Sequence, residues 1–201
     1  MCIRDSNRVD SICKAANDAG VPIFIDAEES WIQQAIDDLA NEMMRLYNTQ
    51  KAIVYNTYQL YRKDRLEYFK HSYQLSVDGN YYLGAKLVRG AYMEKERARA
   101  SEKGYPSPIH DTKASTDADY NAALVFSADN AARIAICAGT HNEDSSMALA
   151  ELMNAKNIAH NDKHIYFSQL LGMSDHISYN LADAGYNVAK YVPYGTYFAT
   201  L

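Results

Sequence analysis

Val21-Pro22-Ile23-Phe24-Ile25 is a short apolar run that ends in the polar cluster Asp26-Ala27-Glu28-Glu29. A run of this length, bounded by turn and polar residues, reads as a buried strand. Behind it Trp31, Ile32, Ala35, Ile36, Leu39, Met43 and Leu46 recur at helical spacing, with Ser30 placed to cap the helix. Ahead of it residues 7–19 carry Val9, Ile12, Cys13 and Ala16 on one helical stripe, closed by Gly20 as a C-cap residue. One strand set between two amphipathic helices is the repeating unit of a parallel α/β fold.

The same alternation extends along the chain. Strand 52–58 leads to a helix from about 61 to 75 that stops at the turn signal Asp78-Gly79. Strand 85–92 leads to a charged helix over 93–103. Residues 104–115 carry Pro106 and Pro108 and read as a loop with a short, weakly signalled strand. Then come helix 117–130, strand 133–140, helix 143–155, strand 164–170, helix 174–184 closed by Gly185, and strand 188–194. Seven strands in strict alternation with helices specify a parallel sheet covered by helices. The expected fold class is α/β, a (β/α)8 TIM-like barrel. A closed barrel takes eight complete units and about 250 residues, and the 201 residues open on a helix and close on a strand. The expectation is one domain over 1–201 that is a fragment, with the first strand and last helix missing, unstable or inactive as an isolated polypeptide.

Composition narrows the class of partner. Net charge is −5 and the basic residues are interleaved with acids, so the footprint of a nucleic-acid binder is missing. No apolar run approaches the roughly 18 residues of a membrane span, and residues at the start lack the pattern of a secretory signal. Cys2, Cys13 and Cys137 are odd in number and widely spaced, without a paired-cysteine motif. No metal site is expected: His160 and His164 flank a loop segment, where helical ligand geometry is not available.

In parallel α/β folds ligands sit at the carboxyl ends of the strands. The polar residues gathered there are Asp26, Glu28, Gln59, Lys86, Arg89, Tyr92, Lys113, Thr140-His141-Asn142, Gln169, Tyr191 and Tyr194. Such a set, rich in donors and aromatic walls, suits a large polar aromatic cofactor. There is no glycine-rich phosphate loop, so phosphates would fall to side chains such as Lys113 and His141 and to helix N-termini. The run Glu94-Lys95-Glu96-Arg97 with Arg99 reads as a solvated helix face.

Six segments in order carry a family resemblance: Phe24 to Glu28, Tyr55 to Gln59, Gly84 to Tyr92 running on into Glu96 to Ala100, Thr140 to Asp144, Gln169 to Met173, and Lys190 to Gly195. Across nearly the whole chain the sequence resembles the proline dehydrogenase family, mitochondrial-type enzymes and their bacterial relatives above all. The resemblance implies FAD at the carboxyl face of the barrel and oxidation of L-proline to 1-pyrroline-5-carboxylate. Hydride passes to flavin N5 and electrons go on to a quinone. It implies catalytic roles for Asp26, Lys86 and Tyr191, with Lys86 beside flavin N5 and Asp26 beneath the substrate. Tyr92, Leu170 and Tyr191, with Asp26, would shape the proline pocket. Gln59, Lys86, Arg89, Gly90, Ala91, Lys113, Thr140, His141, Asn142 and Gln169 would hold the cofactor. The family's first-strand lysine, and the arginine pair of its last helix, have no counterpart in these residues. The location implied is the mitochondrial matrix or bacterial cytoplasm, facing the inner membrane, with peripheral membrane association in the full-length protein. Two other readings use the same residues: a folate-reductase-like flavin barrel, and a non-catalytic barrel acting only in interactions.

Overall fold

The computed structural model describes residues 3–192. Along the chain these are α1 (Ile3–Ala19), β1 (Ile23–Ile25), α2 (Ser30–Tyr47), β2 (Val54–Gln59), α3 (Arg65–Asp78), β3 (Leu83–Val88), α4 (Met93–Lys103), α5 (Lys113–Asp129), β4 (Ile134–Gly139), α6 (Glu143–Ala155), β5 (Ile165–Leu170), α7 (Asp175–Asp183) and β6 (Val188–Tyr191). The strands are parallel and each pairs with its neighbour in sequence, β1 through β6.

The sheet is strongly curled. From the middle of β3, Lys86 Nζ lies 5.4 Å from the ring of Phe24 on β1 and 5.4 Å from that of Tyr191 on β6. Strands at opposite ends of the order therefore meet across a lumen. The described residues form a six-stranded arc of a (β/α)8-type barrel, which closes with eight strands.

Strand alternation divides the side chains between two layers. Val54, Tyr58, Leu83, Leu87, Ile136 and Phe167 face outward onto Met43, Met44, Phe69, Tyr120, Leu124 and Leu149 of the helices. Tyr55 and Ala135 face inward. Gly84 has a steric cause: a Cβ there would stand 2.3 Å from the Val54 carbonyl oxygen and 2.9 Å from the Tyr55 ring. Only glycine lets β3 pass that close.

Two buried polar devices fix the elements. Asp37 of α2, 0% exposed, accepts hydrogen bonds from Gln33 (2.9 Å), Asn56 of β2 (2.9 Å) and Arg65 of α3 (2.6 Å). At the opposite end of the strands Asn48 spends its whole carboxamide on backbone. Its Nδ2 donates to Val54 O and Tyr82 O, and its Oδ1 accepts from the amides of Ile53 and Val54, all at 2.8–2.9 Å.

The structure corrects several boundaries. Residues 104–112 add no strand: β3 pairs directly with β4, and the proline-bearing loop makes one antiparallel bridge, Ile109 to Arg62. Pro106 and Pro108 lack the amide hydrogens a ladder needs. Lys113, expected near that strand, is instead the first residue of α5, which Thr112 caps by accepting from the Ser115 amide. β3 ends at Val88, and Arg89 to Tyr92 turn away from the sheet through Gly90 at φ 139°. The helix expected from 61 begins at Arg65. Ser30 does not cap α2: it is the first helical residue, and its hydroxyl donates to Glu96. The expected strand 188–194 is described as far as Tyr191, and Tyr194 lies outside the described residues.

Candidate active site

The carboxyl ends of the strands surround a cavity of about 770 Å³. On its floor Lys86 Nζ donates to Asp26 Oδ1 at 2.6 Å, an ion pair spanning from β3 to the end of β1 across β2. Between them Thr57 of β2 donates its hydroxyl to the Ile25 carbonyl at 2.9 Å and lies 3.5 Å from Asp26 Oδ1. Phe24 and Tyr191 flank the ammonium with their rings, within the range of cation–π attraction. Cys137, beside Lys86 in register on β4, has its thiol pushed up to about 11 by burial, so it stands protonated at neutral pH.

The wall on the β1 side is the loop from Asp26 to Glu29, and it is tied from three directions. Gln59, at the end of β2, donates to the Glu28 carbonyl at 2.8 Å. Gln33 accepts from the Glu28 amide at 2.9 Å while donating to buried Asp37. Glu29 pairs with Lys95 of α4. Tyr92 closes this side; burial, then its hydrogen bond to Glu28, raises its phenol above the ordinary value.

The opposite wall is a polar lattice. Arg89 donates to Asp117 (2.7 Å), Thr140 Oγ1 (2.7 Å) and Ser145 Oγ (3.0 Å). Asp117 also takes Lys113 at 2.5 Å. Burial alone would raise the Asp117 carboxyl, but hydrogen bonds from Lys113 and Arg89 hold it below the usual carboxylate range. Asn142 caps α6 by accepting from the Ser145 amide at 2.8 Å, which sets the Thr140-His141-Asn142 segment at the positive end of that helix. His141 lies within 3.0 Å of Ser174 Oγ, and burial, then the Lys190 charge, lowers its imidazole from 6.5.

Every site residue named from the sequence between Asp26 and Tyr191 lines this one cavity. Their side chains are not equally available. Gln169 is buried, donating to the Thr140 carbonyl at 3.2 Å and accepting from Ser178 of α7. Gln59 and Arg89 are committed to the protein as described above. Lys86 is held by Asp26, while Lys113, His141, Leu170 and Tyr191 face the space more openly. Sequence reasoning missed Asp117, because it began the helix at 117 and left Lys113 in the loop before it, whereas α5 starts at Lys113; it also missed Glu96, placed on a solvated face. Glu96 is 0% exposed. The cue lay in its spacing to buried Ala100, one turn along α4.

A family model described as proline dehydrogenase matches residues 2–201. Proline dehydrogenase 1, mitochondrial, of Drosophila melanogaster is 42% identical over 198 residues, covering 94% of this chain and 29% of the relative. The human protein of the same name is 41% identical over 191 residues, covering 94% of this chain and 32% of the relative. Among solved structures, proline utilization A from Bdellovibrio bacteriovorus, inactivated by N-propargylglycine, superposes with a TM-score of 0.88 at 23% identity, over 94% of this chain and 20% of that one. The chain thus spans about a third of the curated relatives it matches. Matched over almost its whole length and carrying the strand-end residues on one cavity, the chain belongs to the proline dehydrogenase family.

Proposed function

We propose that the chain serves the oxidation of L-proline to 1-pyrroline-5-carboxylate with FAD as hydride acceptor and a quinone as the final acceptor. The observation that carries this is the Lys86–Asp26 pair on the floor of the cavity, between the rings of Phe24 and Tyr191. The residues present fit a flavin dinucleotide. The volume lies in the range of cofactor pockets, the floor carries the Lys86–Asp26 pair, and Lys113 and the α6 N-terminus offer positive charge, with His141 as a neutral hydrogen-bonding partner, for phosphates along one wall. When bound, the flavin supplies the hydride acceptor.

The rest falls to the protein. Lys86 places a fixed positive charge where negative charge grows during hydride transfer. Asp26 holds that ammonium at 2.6 Å and keeps a negative group beside a substrate that enters as an amine. Tyr92, Leu170 and Tyr191 shape the space for a five-membered ring and limit water. Gly90 and Ala91 bring backbone to the cavity edge without bulk. The mitochondrial names of the relatives support a mitochondrial location.

The test, on the protein with all eight barrel units present, is flavin absorbance during FAD titration, followed by proline-dependent dye reduction. Lys86→Met is expected to lose turnover by about a hundredfold or more, with Lys86→Arg retaining part of it. Bound flavin reduced by a nicotinamide cofactor and indifferent to L-proline would overturn the proposal.

A further inference from the structure

Glu96 is the one acid of the charged helix α4 that the fold hides completely. Its carboxylate is spent on a single residue of another helix: Oε1 accepts from the Ser30 amide at 2.6 Å and Oε2 from the Ser30 hydroxyl at 2.7 Å. Glu29, the N-cap residue of α2, makes no side-chain cap bond. Glu96 therefore caps α2 from a distance of 66 positions in sequence, where a helix start favours negative charge.

The backbone of Glu96 reaches the other way. Its amide donates to the Tyr92 carbonyl at 2.9 Å. That is the first backbone bond of α4, so the Glu96 carboxylate joins the start of α4, next to Tyr92, to the end of the Asp26–Glu29 loop on the same side of the cavity. Lys95 beside it binds Glu29, and Arg99, one turn on, stacks over the Trp31 ring at 4.2 Å. Helix α4 is thus fastened to the start of α2 at Glu29, Ser30 and Trp31.

We propose that Glu96 is a positioning residue of the site: through Ser30 it holds the Asp26–Glu29 loop against Tyr92, fixing the gap in which the substrate sits. The consequence for catalysis rests on the proposed function; the effect on the loop does not. Both carboxylate oxygens are bound to Ser30, so the loop position should depend on the carboxylate itself.

Three measurements on the full chain test it. In Glu96→Gln one of the two acceptors is lost. Hydrogen exchange of the Ser30 amide and its neighbours 26–33 is expected to rise roughly tenfold, with α6 and β4 unchanged. Trp31 is the only tryptophan, so its emission should shift as Arg99 leaves the ring. With L-proline, KM should rise several-fold while flavin content and kcat change little. Ser30→Ala, which keeps the amide bond and removes the hydroxyl one, should show the same pattern more weakly, and it decides the matter if Glu96→Gln does not fold. Unchanged exchange at 26–33 and unchanged Trp31 emission in both variants would overturn the proposal, as would faster exchange spread evenly over the chain. If the unaltered protein with its barrel complete does not oxidise proline, the proposed function fails, while exchange and emission still decide the role of Glu96.

Discussion

Replacing Asp37 by asparagine isolates the worth of a buried charge. Side-chain volume hardly changes, so no cavity forms and the effect is electrostatic. The variant keeps one oxygen to accept from Gln33 and Asn56 but turns an amide toward the Arg65 guanidinium, 2.6 Å away in the parent and 6% exposed. Breaking a buried pair by removing one partner costs about 3–5 kcal/mol. Asp64, at 2.8 Å from Arg65 and half exposed, remains as a second carboxylate, so the lower end, about 3 kcal/mol, applies. For a chain of this size that corresponds to a fall in Tm of roughly 6–12 °C. The comparison is Asp18→Asn, which breaks the exposed Lys14–Asp18 pair and should cost far less, since solvent screens a surface pair. Urea unfolding followed by far-ultraviolet circular dichroism measures both. A loss for Asp37→Asn no larger than that for Asp18→Asn would refute the assignment of Asp37 as the node joining α2, β2 and α3.

Two more outcomes follow from geometry and charge. Gly84→Ala drives a methyl to 2.3 Å from the Val54 carbonyl; backbone on a paired strand cannot yield, so destabilisation of about 3 kcal/mol is expected in the same unfolding assay, and a neutral result would show that β2 and β3 are farther apart. For His141, whose folded imidazole lies below the ordinary 6.5 through burial and Lys190, the unfolded chain binds more protons in the window beneath that value. Stability therefore falls as pH drops through it, and Tm measured from about pH 7 to about pH 5 should decline less steeply in His141→Gln; parallel profiles would refute the coupling.

The strand-end residues were legible because the sequence alternates so regularly. Once Val21 to Ile25 is a strand, Asp26 has to lie at its carboxyl end, and the same step places Lys86, His141 and Leu170. What alternation cannot show is who meets whom across it. The Lys86–Asp26 pair skips a strand, and nothing in either segment marks the other as its partner. Glu96 was hidden by its company: among Glu94, Lys95, Arg97 and Arg99 a buried acid looks like one more solvated charge, and only the arrival of Ser30 from α2 explains it. Residues 104–112 misled for a local reason, since apolar Ile109 between prolines and polar residues suits a bridge as well as a strand. The early end of β3 had a visible sign in Gly90, whose φ of 139° suits glycine and turns the chain out of the sheet.

Asn48 carries an implication for how such a protein can change. It knots the chain at the amino ends of β2 and β3, on the far side of the sheet from the cavity, with every donor and acceptor of its carboxamide matched to backbone. Aspartate lacks the two donors and glutamine overshoots, so the position tolerates little. Because that knot does not share a residue with the cavity, the loops around Asp26, Tyr92 and His141 are free to be rewritten for a different substrate while the frame beneath them stays put. Rigidity at one end of the strands is what gives the other end its evolutionary latitude.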